Sequence, residues 1–189
     1  MRDGQPALAT AFGVAVEAGG WRTADRFHSG VALDVPTGRI VAEGLCMPHS
    51  PRWDGRQWWL CNSGLGALCR LDGRGGACET VAELPGFVRG LYLAEDRAVV
   101  GLSRIRRRHI LDAPPVRARF PRLRSGAWLV DRDSGATTGA LEFVRGGREV
   151  FETALLPSVV RPLLTPWAEA GSSPVEDLQA DDPEPTDPA

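Results

Sequence analysis

Val31-Ala32-Leu33-Asp34-Val35-Pro36-Thr37-Gly38 and Trp128-Leu129-Val130-Asp131-Arg132-Asp133-Ser134-Gly135 decide the fold of this chain. Each is an apolar run that stops at an aspartate and turns over a glycine. Cys69-Arg70-Leu71-Asp72-Gly73 is a shorter copy of the same unit. Short apolar runs closed by Asp, Pro and Gly read as strands joined by tight turns. Asp54-Gly55 sits between the runs 50–53 and 57–62, a strong hairpin signal. Further strands are expected over 6–12, 30–34, 39–47, 67–71, 79–84, 88–93, 98–102, 127–131, 138–144 and 150–156. No helical apolar periodicity competes with them.

The spacing suggests an architecture. Propeller blades are units of four strands and about 40–50 residues. On that period the chain holds a partial first blade over 5–47, a second over 48–86 and a third over 87–147. An irregular loop over 103–125 lengthens the third, and 150–156 would open a fourth. The expected class is therefore all-β, a partial β-propeller of about three antiparallel four-stranded meanders, short of the four to eight blades that close a ring. The β domain is assigned to 1–168. The remainder, 169–189, is Asp-, Glu- and Pro-rich, and is expected to be disordered because it carries little apolar surface to bury.

Composition agrees with one ordinary domain. The chain has 189 residues, 43% hydrophobic and 24% charged, enough for a sizeable core. Its 15 Pro and 22 Gly suit many turns better than long helices. A net charge of −2 gives no general pull toward nucleic acid or membrane. All 22 basic residues are arginine, which we read first as a codon-composition effect. No run approaches the roughly 18 apolar residues of a membrane span, and the N-terminus lacks a secretory layout, so a cytoplasmic protein is expected. In a reducing compartment, Cys46, Cys61, Cys69 and Cys78 read as buried thiols.

Several pieces carry a family resemblance. Gly44-Leu45-Cys46-Met47-Pro48-His49-Ser50-Pro51-Arg52-Trp53, Asn62-Ser63-Gly64, Leu84-Pro85-Gly86-Phe87-Val88-Arg89-Gly90-Leu91 and Val100-Gly101-Leu102-Ser103 follow one another in order. Together with Gly19-Gly20-Trp21-Arg22 and the Asp34 turn, they resemble an uncharacterised bacterial family with a domain of unknown function. The resemblance runs over about 6–163. It implies a propeller-like fold, and longer members of which this chain corresponds to the C-terminal half. It implies no activity. The arginine-rich stretch 103–125 departs from the family pattern.

The candidate site follows from the expected inner strands, which line a propeller's channel. His49, Ser50 and Arg52 open one such strand, Asn62 ends its neighbour, and Arg89 and Glu152 open the next two. Imidazole offers a base or acceptor near neutral pH, and guanidinium grips carboxylate or phosphate in a two-pronged fashion. These residues equally suit bracing of adjacent blades. The expected function is a binding or interaction module taking a small anionic ligand, or a protein partner, at the channel mouth. One alternative is a metal-assisted hydrolase or lactonase with His49 as base; another is a truncated product without independent function. No metal site is expected, because Cys46 and His49 lack the paired ligands of zinc sites. No cofactor is assigned. The arginine stretch lacks interleaved aromatics, so nucleic acid is not an expected partner. An isolated three-blade chain is expected to need a missing N-terminal half or to self-associate.

Overall fold

The two aspartate turns close in the same way. In the computed structural model, Thr37 N–H donates to Asp34 Oδ2 at 3.1 Å and Ser134 N–H to Asp131 Oδ1 at 2.8 Å. The Gly38 and Gly135 amides return to the Asp34 and Asp131 carbonyls at 2.8 and 2.9 Å. Both glycines are left-handed, φ 68° and 72°, a conformation that favours glycine at that point of the unit. The sequence repeat is thus a structural repeat. The structure describes residues 2–15, 17–22, 25–72, 76–105, 114–156 and 158–159.

The described strands form three antiparallel meanders. The first sheet holds β1 (Leu8–Ala11), β2 (Gly30–Asp34) and β3 (Ile40–Leu45). The second holds β4 (Pro48–Trp53), β5 (Trp58–Asn62), β6 (Ala67–Leu71) and β7 (Glu79–Glu83). The third holds β8 (Phe87–Leu93), β9 (Arg97–Ser103), β10 (Gly126–Asp131) and β11 (Thr137–Glu142). The protein is all-β, and the sheet boundaries fall where the blade period places them. Beyond 3-10 turns, the described residues contain one short helix, α1 (Val116–Arg119), inside the long loop of the third sheet. Strand β4 packs against both β1 and β8, so the opening strands of the three sheets are neighbours. That arrangement is compatible with the inner strands of a propeller.

One expected strand does not form. Residues 150–156 pair with no strand, because side chains take up their backbone groups. Val150 N–H donates to Ser103 Oγ at 2.9 Å, and that hydroxyl returns to the Val150 carbonyl at 3.1 Å. The Thr153 hydroxyl donates to the Val99 carbonyl at 3.0 Å. The segment therefore lies along the third sheet instead of opening a fourth. All eleven described strands belong to the compact unit Met1–Leu155. The tail expected over 169–189 lies outside the described residues.

Two apolar layers hold the sheets together, and β5 serves both. Trp58 and Leu60 join Leu8, Ala32, Ala42 and Leu45 of the first sheet. Trp59 and Cys61 join Val88, Leu91, Val100, Leu102, Trp128 and Val130 of the third. A strand in the middle of three layers has no solvent face, which is why Trp58-Trp59-Leu60-Cys61 is continuously apolar rather than alternating.

A polar pin closes the far end of the second layer. Asp54 Oδ1 accepts from the amides of Arg56 and Gln57 at 2.9 and 2.8 Å, and Oδ2 accepts from the Trp59 indole at 2.8 Å. Arg132, just past β10, also donates to Asp54 and lies 4.9 Å above the Trp59 ring. Its other amine reaches the carbonyls of Ala94 and Glu95 at 3.0 and 2.8 Å. The pair is well shielded, with side chains 14% and 8% exposed. Burial alone would raise the Asp54 carboxyl, but the Gln57 and Arg56 amides, the indole and the Arg132 charge outweigh it and hold it below its ordinary 3.8.

Removing one member of a buried pair strands the other charge, so Arg132→Leu should cost about 3 kcal/mol. The double variant Asp54→Asn/Arg132→Leu should lose less than the sum of the two singles. Urea midpoints of the four proteins check both expectations. Because the folded carboxyl is depressed, its stabilisation is present above pH 3.8 and is lost as acid carries the pH through the lower folded value. Asp54→Asn should flatten that acid limb.

Candidate anion-binding site at the inner strands

The inner strands β4 and β8 are both interrupted at the same level. Register slips between His49 and Arg52 opposite β5, and between Val88 and Leu91 opposite β9. In each, one extra residue is accommodated, a β-bulge of the kind found beside functional sites. Ser50 takes φ 54° and Gly90 φ 79°. Left-handed backbone at a serine is uncommon and persists only where its surroundings fix it. The fixing contact is direct: Gly90 N–H donates to Ser50 Oγ at 3.0 Å, bulge to bulge.

Glu152 lies against this junction. A Cβ on Gly90 would stand 2.7 Å from the Glu152 Cα, so only glycine lets the 150–156 segment lie this close. Glu152 Oε1 accepts from the Leu91 amide at 3.2 Å, and Oε2 pairs with Arg52 at 2.7 Å. The expectation that Glu152 opens a further blade is therefore corrected. It rests on β8 itself, because the segment that carries it is not a strand. Both members of the Arg52–Glu152 pair are substantially exposed, so their attraction is screened.

Arg89 stands differently. Its guanidinium lies 4.4 Å over the Phe151 ring, and among the described residues no carboxylate pairs with it. Its charge reaches His49. Burial first and the Arg89 charge second lower the imidazole to about 4, against a weaker opposite effect of the Met47 carbonyl. The ring stands edge-on to Phe12 and Phe87, centroids 5.1 and 5.6 Å away. Nδ1 lies 3.0 Å from the Met47 carbonyl and 2.8 Å from Ser63 Oγ. A proton on Nδ1, shared by both oxygens, satisfies these contacts and leaves the Ser63 hydroxyl to donate to the Cys61 carbonyl at 3.3 Å. Nε2 then carries the lone pair.

His49, Ser50, Arg52, Arg89 and Glu152 thus gather at one junction. Asn62 serves a different purpose: it is buried, and its Oδ1 accepts from the Cys46 amide at 2.7 Å, tying down the β3–β4 turn. Cys46 lies in that turn, its thiol pushed up to about 11 by burial, and burial likewise raises Cys61. These environments favour the thiol over the thiolate that metals bind.

The motifs that build the junction, Met47–Trp53, Asn62–Gly64 and Phe87–Leu91, lie within a single family match. Residues 1–165 match the family described as Domain of unknown function (DUF4915). The chain belongs to that family. None of the curated proteins compared with it matches.

In this DUF4915 chain, four contributors to the junction are not legible in the sequence alone. Gly90 was quoted in a motif, but its role depends on a neighbour sixty residues away in sequence, as the Leu91–Glu152 contact shows. Phe12 and Phe87 wall the imidazole, and Trp21 stands edge-on to Phe12 at 5.2 Å, so the Trp21 loop covers the same corner. Only the adjacency of Phe87 to Arg89 hinted at this.

The depressed imidazole makes a stability prediction. Between the unfolded value of 6.5 and the folded value of about 4, the unfolded chain binds a proton that the folded one does not. Stability present above pH 6.5 should therefore fall as the pH drops toward 4, by up to about 3 kcal/mol. Melting temperature followed across that interval checks it, and His49→Gln should flatten the slope.

Proposed function

We propose that this chain is a binding module that takes a small anionic ligand at the junction of β4 and β8. The observation that carries the reading is the unequal state of two neighbouring arginines. Glu152 neutralises Arg52, whereas no described carboxylate meets Arg89. A guanidinium already felt by its neighbour, held over an aromatic ring beside a strained bulge, suits a two-pronged grip on carboxylate or phosphate. In this reading His49 contributes the Nε2 lone pair as an acceptor for a ligand hydroxyl. Ser50 fixes the backbone that presents both groups. The hydrolase alternative draws no support from His49, because an imidazole at about 4 is a weak base at neutral pH.

Titration of the full chain with citrate or inorganic phosphate at low ionic strength tests this, read by thermal shift and by the His49 ring proton in NMR. The anion should raise the melting temperature. By offsetting the Arg89 charge it should also move the imidazole upward from about 4. Arg89→Gln should weaken binding roughly ten- to a hundredfold, the worth of a charge-assisted contact. Equal affinity in that variant, with no His49 response, would overturn the reading.

A further inference from the structure

The described arginines of the loop between β9 and β10 fall into two groups. Arg119 pairs with Glu83 and donates to the Leu65 carbonyl at 2.7 Å. Arg124 pairs with Glu142 at 2.5 Å, and Arg122 stands 4.0 Å from the same carboxylate. Arg104 and Arg117, joined by Arg148 from the stretch after β11, line a cavity of about 320 Å³ instead. Among the described residues no carboxylate pairs with any of these three.

Among the described residues, backbone carbonyls are the hydrogen-bond partners of Arg104. Its N–H donates to the Arg148 carbonyl at 2.8 Å and its Nη2 to the Phe143 carbonyl at 3.1 Å. Its Nε is buried without a hydrogen-bond partner among the described residues. The Phe143 carbonyl holds the guanidinium but, being neutral, does not cancel its charge. Ile105, Phe120 and Leu123, each half-buried, supply an apolar wall to the same cavity.

We propose that this cavity is a second binding site, for an organic anion that joins one phosphate or carboxylate group to a small apolar body. The two halves of the lining ask for the two halves of such a ligand. A bare inorganic anion would leave the Phe120 and Leu123 wall unused, and a neutral apolar molecule would leave three like charges facing one another. The volume lies at the small end of ligand pockets, which run from about 300 to 1,000 Å³. Among the described residues Phe120 is the single aromatic in the lining, which suits one apolar group rather than a stacked strand of bases. The site shares no residue with the β4–β8 junction, so neither proposal depends on the other.

Calorimetric titration of the full chain with phenyl phosphate, benzoate and inorganic phosphate tests the site. At least one of the two organic anions should bind tenfold or more tightly than inorganic phosphate, and which one does so identifies the headgroup. Arg117→Gln/Arg148→Gln alters two exposed side chains, and should weaken that binding at least tenfold with the melting temperature unchanged. Arg117→Gln alone should show part of the same loss, and Arg89→Gln none of it. The proposal is overturned if neither organic anion outbinds inorganic phosphate, if the double variant binds like the wild type, or if Arg89→Gln removes the binding.

Discussion

Strand β5 has water on neither side, and the rest of the structure is arranged around that constraint. Trp58 and Leu60 face one apolar layer and Trp59 and Cys61 the other. A residue on this strand therefore cannot be exchanged for a polar one by choosing a face, as on an ordinary half-buried sheet. The polar atoms that enter the layers must bring their partners with them. The Trp59 indole does so through Asp54, and the Asp54 charge through Arg132. The turn beside β5, the indole within it and the arginine past β10 are thus one connected unit, in which no polar member can leave without stranding another.

The same logic reads differently at the opposite end of the strands. There the backbone, rather than the side chains, carries the irregularity. A bulge lets two strands approach with their hydrogen-bonding groups out of step, and the orphaned Gly90 amide finds Ser50 Oγ. The left-handed turn at Ser50 is tolerable because Gly90 supplies that bond and offers no Cβ to obstruct the approach. Strain is concentrated where Arg89 and His49 emerge. Binding groups placed on such a rigid irregularity lose less freedom on meeting a ligand than groups on an open loop.

Local chemistry explains why so much of the fold was legible. The units ending at Gly38 and Gly135 could be recognised because an aspartate accepting its own turn's amides leaves a fixed residue pattern. Asp54-Gly55 likewise announced its hairpin. The segment 150–156 reads as a strand by composition, yet the Ser103 hydroxyl takes the Val150 amide and carbonyl and the Thr153 hydroxyl reaches the Val99 carbonyl, contacts made across about fifty positions of sequence. The site divides along the same line. Arg89 could be placed near β4 because opening strands of successive meanders are neighbours, whereas Glu152 reaches the same junction from a segment that is not a strand. Which arginine would find Glu152, and that Asn62 would be consumed by the Cys46 amide, depended on contacts between elements that no local pattern records.

Arginine is the chain's only permanent cation, and its surroundings, not its position in sequence, determine what each copy does. Arg132 is largely shielded, lies over the Trp59 ring and is held by Asp54 and two carbonyls, so its charge is spent on holding sheets together. Arg52, Arg119 and Arg124 meet carboxylates at partly exposed positions, where attraction is screened and the contacts orient segments more than they stabilise them. Arg89 and Arg104 are the informative cases. Each is held in place by something that does not cancel its charge, an aromatic face for one and a backbone carbonyl for the other. A cation fixed without being neutralised retains its field in the space it faces, and an anion entering that space meets a group already oriented to receive it.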